Sequence, residues 1–143
     1  MKKVLILNGV NLNLTGEREP GVYGSETLSD INARIAEHAQ KLSLDVDFFQ
    51  TNVEGEFVEK IHSVYTAYDA CIINAGAFSH YSYAVYDAIG AVRKPFIEVH
   101  MSNIHAREDW RRQSIISPVC VGMIAGFGKW SYILALDALK NIL

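Results

Sequence analysis

Residues 98–108, Glu98-Val99-His100-Met101-Ser102-Asn103-Ile104-His105-Ala106-Arg107-Glu108, bring together two carboxylates, two imidazoles, a hydroxyl, an amide and a guanidinium. These groups bind anions and pass protons, and histidine does so near neutral pH. The cluster follows an apolar run, 95–99, that reads as a buried strand. In open α/β sheets the ligand crevice lies just beyond the carboxyl ends of the strands, so a polar set placed there is hard to explain as packing. Titratable groups concentrate at such sites. The plain alternative is a solvated loop with two incidental histidines.

Two further polar sets have the same placement. Asn8-Gly9-Val10-Asn11-Leu12-Asn13-Leu14 follows a first apolar run and leads into Glu17-Arg18-Glu19-Pro20-Gly21-Val22-Tyr23-Gly24, while Asn74-Ala75-Gly76-Ala77-Phe78-Ser79-His80 follows a third. If all three lie at carboxyl ends, they converge on one crevice. Residues 74–77 also precede a helix, whose free backbone amides would suit an anionic group.

Apolar runs of strand length occur at 4–7, 46–49, 71–73, 96–99 and 119–124. Segments with helical spacing separate them. Thr27 with Asp30 is a capping signal, and Leu28, Ile31, Ile35, Ala39 and Leu42 then step along one face. Phe57, Ile61, Val64 and Tyr68 mark a second helix, Val85, Ala88, Ile89 and Val92 a third, and Ile133, Leu136 and Leu139 a last one. These stripes are core. Strands alternating with helices imply a parallel sheet covered on both faces by right-handed crossovers. The predicted fold is therefore an α/β, flavodoxin-like three-layer sandwich, one domain over 1–143, with a five-stranded parallel sheet in the order 2-1-3-4-5. Residues 10–25 form a long irregular stretch of the kind that serves as a lid. Residues 101–118 are likewise non-periodic, with a short helical turn predicted within 106–113.

Composition narrows the function classes. Half of the 143 residues are hydrophobic and the formal net charge is −3. Lys and Arg are scattered apart from Arg107, Arg111 and Arg112, so no basic face points to nucleic acid. Cys71 and Cys120 sit in apolar runs, where a free thiol behaves as a small hydrophobe and a reducing cytoplasm fits. The apolar stretch after Met1-Lys2-Lys3 is too short for a signal segment or a membrane span. The expectation is a soluble cytoplasmic protein with no membrane partner.

The pieces NGVNLNLTGEREPGVYG, FFQTNVEGE, INAGAFSHYS, IEVHMSNIHAREDWRRQS and SPVCVGMIAGFG, in this order and spacing, resemble type II 3-dehydroquinate dehydratase over essentially the whole chain. The resemblance implies a lyase that converts 3-dehydroquinate to 3-dehydroshikimate through an enolate, in the shikimate route to aromatic amino acids, with no cofactor, metal or Schiff base. It also implies a dodecamer built from trimers. The chain departs from the family's usual Pro at Val10, His at Val53, Thr at Tyr81 and Arg at Tyr86.

Such a reaction needs a base, an enolate stabiliser and an acid. By resemblance Tyr23 is the base. A phenol titrates near pH 10, so half-ionisation at pH 7 needs a shift of about 3 units, or about 4 kcal/mol. One cation at ~4 Å offers about that much at an effective dielectric near 20, before desolvation is subtracted. Two cations suffice, and Arg18 and Arg107 are the candidates. His100 resembles the general acid, with Glu98 two residues away on the same strand face to orient it. Asn11 resembles the residue that holds the enolate oxygen, directly or through a water. Asn74 and the amides near Met101 and Ser102 would take the substrate carboxylate, and His80 and Arg111 its hydroxyls. Asp87 matches a residue that reaches a neighbouring subunit's site. Each has an ordinary alternative: a loop aromatic for Tyr23, a structural hydrogen-bonder for His100, an Asx-type turn for Asn11, a solvated helix face for Arg111, and an exposed carboxylate for Asp87. Asn8, Asn13 and His105 read as structural.

Three rival functions remain open at this point. Glu98, His100 and His105 supply possible metal ligands, although alternating strand residues followed by a loop histidine do not fix a catalytic zinc geometry. A Schiff-base dehydratase is disfavoured, because no lysine falls in the three polar clusters. A flavodoxin-like binding module would use Gly126-Phe127-Gly128-Lys129 to cradle a phosphate, without the spacing of a P-loop.

Overall fold

The computed structural model of the chain describes residues 1–19, 21 and 25–143. Strands β1 (Lys2–Asn8), β2 (Leu44–Gln50), β3 (Ala70–Asn74), β4 (Phe96–His100) and β5 (Gly122–Ala125) form one sheet in the order β2-β1-β3-β4-β5. Every pairing is parallel. Helices α1 (Leu28–Lys41), α2 (Glu54–Ala67), α3 (Tyr83–Val92) and α4 (Trp130–Ile142) complete the flavodoxin-like sandwich.

The layers follow from side-chain alternation along the strands. Val4 and Ile6 of β1 face a core that includes Ile31 and Ile35 of α1 and Tyr132, Leu136 and Leu139 of α4. Leu5 and Leu7 face the opposite core, under Phe57 and Ile61 of α2 and Val85 and Ile89 of α3. A strand buried on both faces must be apolar at consecutive positions, which is why β1, β3 and β4 read as continuous runs. Each large aliphatic side chain buried in these layers contributes about 1.5–3 kcal/mol relative to exposure. At the start of α1 the capping box forms as its spacing predicts. The Asp30 amide donates to Thr27 Oγ1 at 3.2 Å, and the Thr27 amide donates to the Asp30 carboxylate at 3.1 Å.

Two local expectations need correction. The apolar run 119–124 is strand only from Gly122, because its first part closes a 3-10 turn, Ser117–Val119, with Pro118 inside it. The Val119 and Cys120 amides donate back to the Ile116 and Ser117 carbonyls, so they are spent before the sheet begins. Their apolar character serves packing against the α2/α3 layer instead. The short helical turn predicted in 106–113 forms as a 3-10 turn, Asp109–Arg111, and a second one, Ile104–Ala106, precedes it. After β3 a 3-10 turn, Gly76–His80, comes before the helix, and α3 starts beyond it with Ser82 Oγ accepting from the Val85 amide at 3.1 Å. The α3 terminus is therefore capped rather than aimed at an anion.

The carboxyl ends of β1 and β3 lie side by side, with Asn8 opposite Asn74. The loops that leave them nearly touch. A Cβ on Gly9 would stand 2.6 Å from the Ala75 carbonyl oxygen, and one on Gly76, whose φ is 58°, would stand 2.9 Å from the Val10 carbonyl oxygen. Only glycine fits either position, and together they bring two polar loop starts to one floor.

Candidate active site

Above that floor lies a cleft of about 460 Å³, open to solvent, whose walls include Asn11, Asn74, His80, His100, Arg107 and Arg111. Arg18, Met101 and Ser102 line it as well. Nine of the twelve predicted site residues thus meet in one place, from three strand ends, as the sheet order requires. Glu98 lies directly beneath. Tyr23 falls outside the described residues. Asp87 is exposed on α3 and does not line the cleft.

The centre is a buried acid–imidazole pair. Glu98 is 0% exposed and its carboxylate meets His100 Nε2 at 2.5 Å. Ser114 Oγ donates to the same carboxylate at 2.6 Å, and Ser117 Oγ donates to its other oxygen. Burial pushes the Glu98 carboxyl up, but the bond and charge of His100, with the two serine hydroxyls, outweigh it and hold the group below the ordinary glutamate value. Glu98 thereby fixes the ring of His100, while the rest of the imidazole faces the cleft. The low carboxyl value has a consequence for stability. A depressed folded-state value contributes stability that is complete above about pH 4.5 and is lost as pH falls through the folded value. Melting temperatures across pH 3–7 should therefore show the gap between the native chain and Glu98→Gln narrowing below about pH 4.5; a gap independent of pH would contradict the assignment.

His80 stands beside His100, ring centroids 6.1 Å apart, with Trp110 edge-on at 5.4 Å. Its Nδ1 lies 2.8 Å from the Gln113 carbonyl oxygen, so Nδ1 carries the proton and donates. Burial lowers its pKa, and although the Gln113 carbonyl works against this, the net shift is downward. A neutral His80 offers Nε2 as an acceptor for a hydroxyl. Arg111 is no solvated helix-face residue. Its side chain is 14% exposed, its Nε donates to Glu108 at 2.6 Å, and its guanidinium lies 4.0 Å over the Trp110 ring.

Asn11 adopts the left-handed conformation, φ 67°, and its backbone amide donates to Asn52 Oδ1 at 2.8 Å. Its side chain makes no capping bond to the turn that follows, contrary to the Asx-turn alternative, and lines the cleft. On the opposite wall Arg107 donates to Ser102 Oγ at 3.4 Å and to Glu19 at 3.2 Å, while Arg18 lies 3.6 Å from the same Glu19 carboxylate. The two cations expected to act together do converge, with a carboxylate shared between them that sequence reasoning overlooked.

The Gly126-Phe127-Gly128-Lys129 segment is no phosphate cradle. The Gly126 amide donates to the His100 carbonyl at 3.2 Å and the Gly128 amide to the Met101 carbonyl at 2.9 Å. The Phe127 amide donates to Ser131 Oγ at 3.2 Å, and the Lys129 ammonium pairs with Glu26. The turn instead anchors the loop that leaves β4. Among the described residues no three His, Cys, Asp or Glu side chains come together so as to hold a metal ion, and His105 is exposed on its own turn. No lysine lines the cleft. Among the described residues no helix is long and apolar enough to cross a membrane. Both cysteines are free; burial raises the Cys71 thiol, and burial with the nearby Glu98 charge raises Cys120 to about 12.

The chain matches the family model described as dehydroquinase class II over residues 2–140. It belongs to that family. It is 58% identical over 144 aligned positions to the 3-dehydroquinate dehydratase of Caldicellulosiruptor bescii, covering 100% of this chain and 99% of that protein. It is 54% identical to the Pelobacter propionicus 3-dehydroquinate dehydratase, covering 100% of this chain and 97% of that one. The crystal structure of type II dehydroquinase from Propionibacterium acnes superposes with a TM-score of 0.95 at 42% identity, over 99% of this chain and 97% of that one. In this class II dehydroquinase the residues that reading the sequence missed are partners of the site rather than its walls: Glu19, Ser114, Ser117 and Tyr132. Ser114 and Ser117 stand 16 and 19 positions from Glu98, and no local pattern ties them to it.

Proposed function

We propose that the chain dehydrates 3-dehydroquinate to 3-dehydroshikimate, in the cytoplasm and on the shikimate route to aromatic amino acids, through an enolate and without metal or Schiff base. The observation that carries this reading is the buried Glu98–His100 pair opening onto a cleft shared with Asn11, Arg18 and Arg107. The Tyr23 phenolate takes the proton next to the ketone. The electron pair moves onto the ketone oxygen, which Asn11 holds directly or through a water. As the enolate collapses back to the ketone, the carbon–oxygen bond on the neighbouring carbon breaks, and protonated His100 delivers its proton so that the hydroxyl departs as water. Asn74 and the backbone at Met101 and Ser102 receive the carboxylate, while neutral His80 and Arg111 receive the ring hydroxyls. A cleft lined by amide, imidazole, hydroxyl and guanidinium groups suits a small polyhydroxy acid. Asp87, exposed on α3 near the exposed Tyr81 and Tyr83, is proposed to reach the site of a neighbouring subunit in a dodecamer of trimers.

The test is ultraviolet detection of the conjugated enone formed from dehydroquinate by purified protein in the presence of EDTA. Sustained turnover is expected. Absence of enone would overturn the activity, and activity abolished by chelator would favour the metal-dependent alternative.

A further inference from the structure

We propose that Tyr132, on α4, is a positioning residue: its buried hydroxyl decides which end of the Asn74 amide faces the substrate. The inference rests on the reading of Asn74 as a substrate ligand. Tyr132 is 0% exposed, and its hydroxyl lies between the last residues of two strands. It donates to Asn8 Oδ1 at 2.6 Å and accepts from Asn74 Nδ2 at 2.9 Å, while Asn74 Oδ1 accepts from the Gly76 amide at 3.2 Å.

The direction of this chain is forced. A backbone amide can only donate, so the Asn74 atom facing Gly76 is the oxygen, and the atom facing Tyr132 is the nitrogen. A hydroxyl that accepts from that nitrogen has its single proton left for Asn8, whose carbonyl receives it. The three side chains are nearly or wholly buried, Tyr132 at 0%, Asn8 at 1% and Asn74 at 3% exposure, so a reversed amide would set donor against donor at Gly76. Of the Asn74 amide, one N–H and one oxygen lone pair remain uncommitted. With its orientation locked, it presents the same donor to the substrate at every turnover. Neither Asn8 nor Tyr132 lines the cleft, and the hydroxyl's hydrogen-bonded route to it runs through Asn74.

Tyr132→Phe keeps the ring and its packing and removes the oxygen. Loss of one aligned ground-state hydrogen bond raises KM for dehydroquinate by about tenfold, and kcat changes by less than about twofold, because the chemical groups are untouched. Three variants separate the possibilities. Asn74→Ala alone should raise KM by at least as much; an unchanged KM would refute Asn74 as a ligand and the inference with it. If Asn74→Ala raises KM and Tyr132→Phe does not, the positioning role is overturned while the reading of Asn74 stands. Adding Tyr132→Phe to Asn74→Ala should produce no further rise, whereas an additive rise would show that Tyr132 acts by another route. Should Tyr132→Phe fail to fold, Asn8→Ala decides the matter: it removes the far acceptor alone, frees the hydroxyl proton to turn on Asn74, and should raise KM with kcat preserved, a normal KM being the refuting result.

Discussion

Tyr23→Phe should lower kcat by about 10³-fold or more, within the range that general bases supply, and leave the thermal transition near its native position. The change removes one oxygen from a residue on the irregular 10–25 stretch, so it should spare the layered core. The size of the effect depends on how far the phenol is ionised. Arg18 and Arg107 face the cleft together, yet the Glu19 carboxylate lies 3.6 Å from the first and 3.2 Å from the second. A cation at ~4 Å offers about 4 kcal/mol at an effective dielectric near 20, and the Glu19 carboxylate offsets part of what the two guanidiniums supply. Bringing a phenol to half-ionisation at pH 7 costs about 4 kcal/mol before desolvation, so both guanidiniums are needed to outweigh desolvation and Glu19 together. Difference ultraviolet titration of the inhibitor-saturated protein should show a tyrosinate near neutral pH that Tyr23→Phe lacks. A variant with near-normal rates would remove Tyr23 from the mechanism.

His100→Gln should lower kcat by a comparable factor, about 10³-fold, for a different reason. Glutamine can still donate a neutral hydrogen bond to Glu98 and fill much of the space, but it cannot hand a proton to a leaving hydroxyl. The variant should therefore bind substrate with nearly native affinity and lose the limb of the pH–rate profile on which activity falls as the general acid gives up its proton. A second penalty accompanies the first. Glu98 is wholly buried, and in the variant the imidazole that meets its carboxylate is replaced by a neutral amide beside the two serine hydroxyls. The melting temperature at neutral pH should fall with the rate. Retention of the native profile in both limbs would place the acid elsewhere.

The comparison of sequence with structure is uneven for physical reasons. The buried strands announce themselves because burial on two faces demands consecutive apolar residues, and the helical stripes because one face repeats every three or four positions. The start of β5 is misread, since Val119 and Cys120 are apolar for packing while their amides are already engaged in a turn. Walls of the cleft are legible wherever a polar cluster follows a strand, as at Asn11, Asn74 and His100. The partners that set their state are not. Tyr132 falls between the core positions of α4 and looks like one more core aromatic. Its hydroxyl acquires meaning through Asn8 and Asn74, 124 and 58 positions away. Glu19 sits in a run of alternating charges and becomes notable once Arg107 folds back 88 positions to meet it.

The crowding at Gly9 and Gly76 also limits what selection or design can do with this cleft. A floor made of bare backbone offers no side chain to enlarge, shrink or recharge, and any atom added there collides with the opposite loop. Changes in substrate preference must then come from the rim, through Arg18, His80, Arg111 and their neighbours, while the base of the cavity stays chemically blank. Libraries that randomise the rim should yield altered selectivity, and those that randomise the floor should yield unfolded protein.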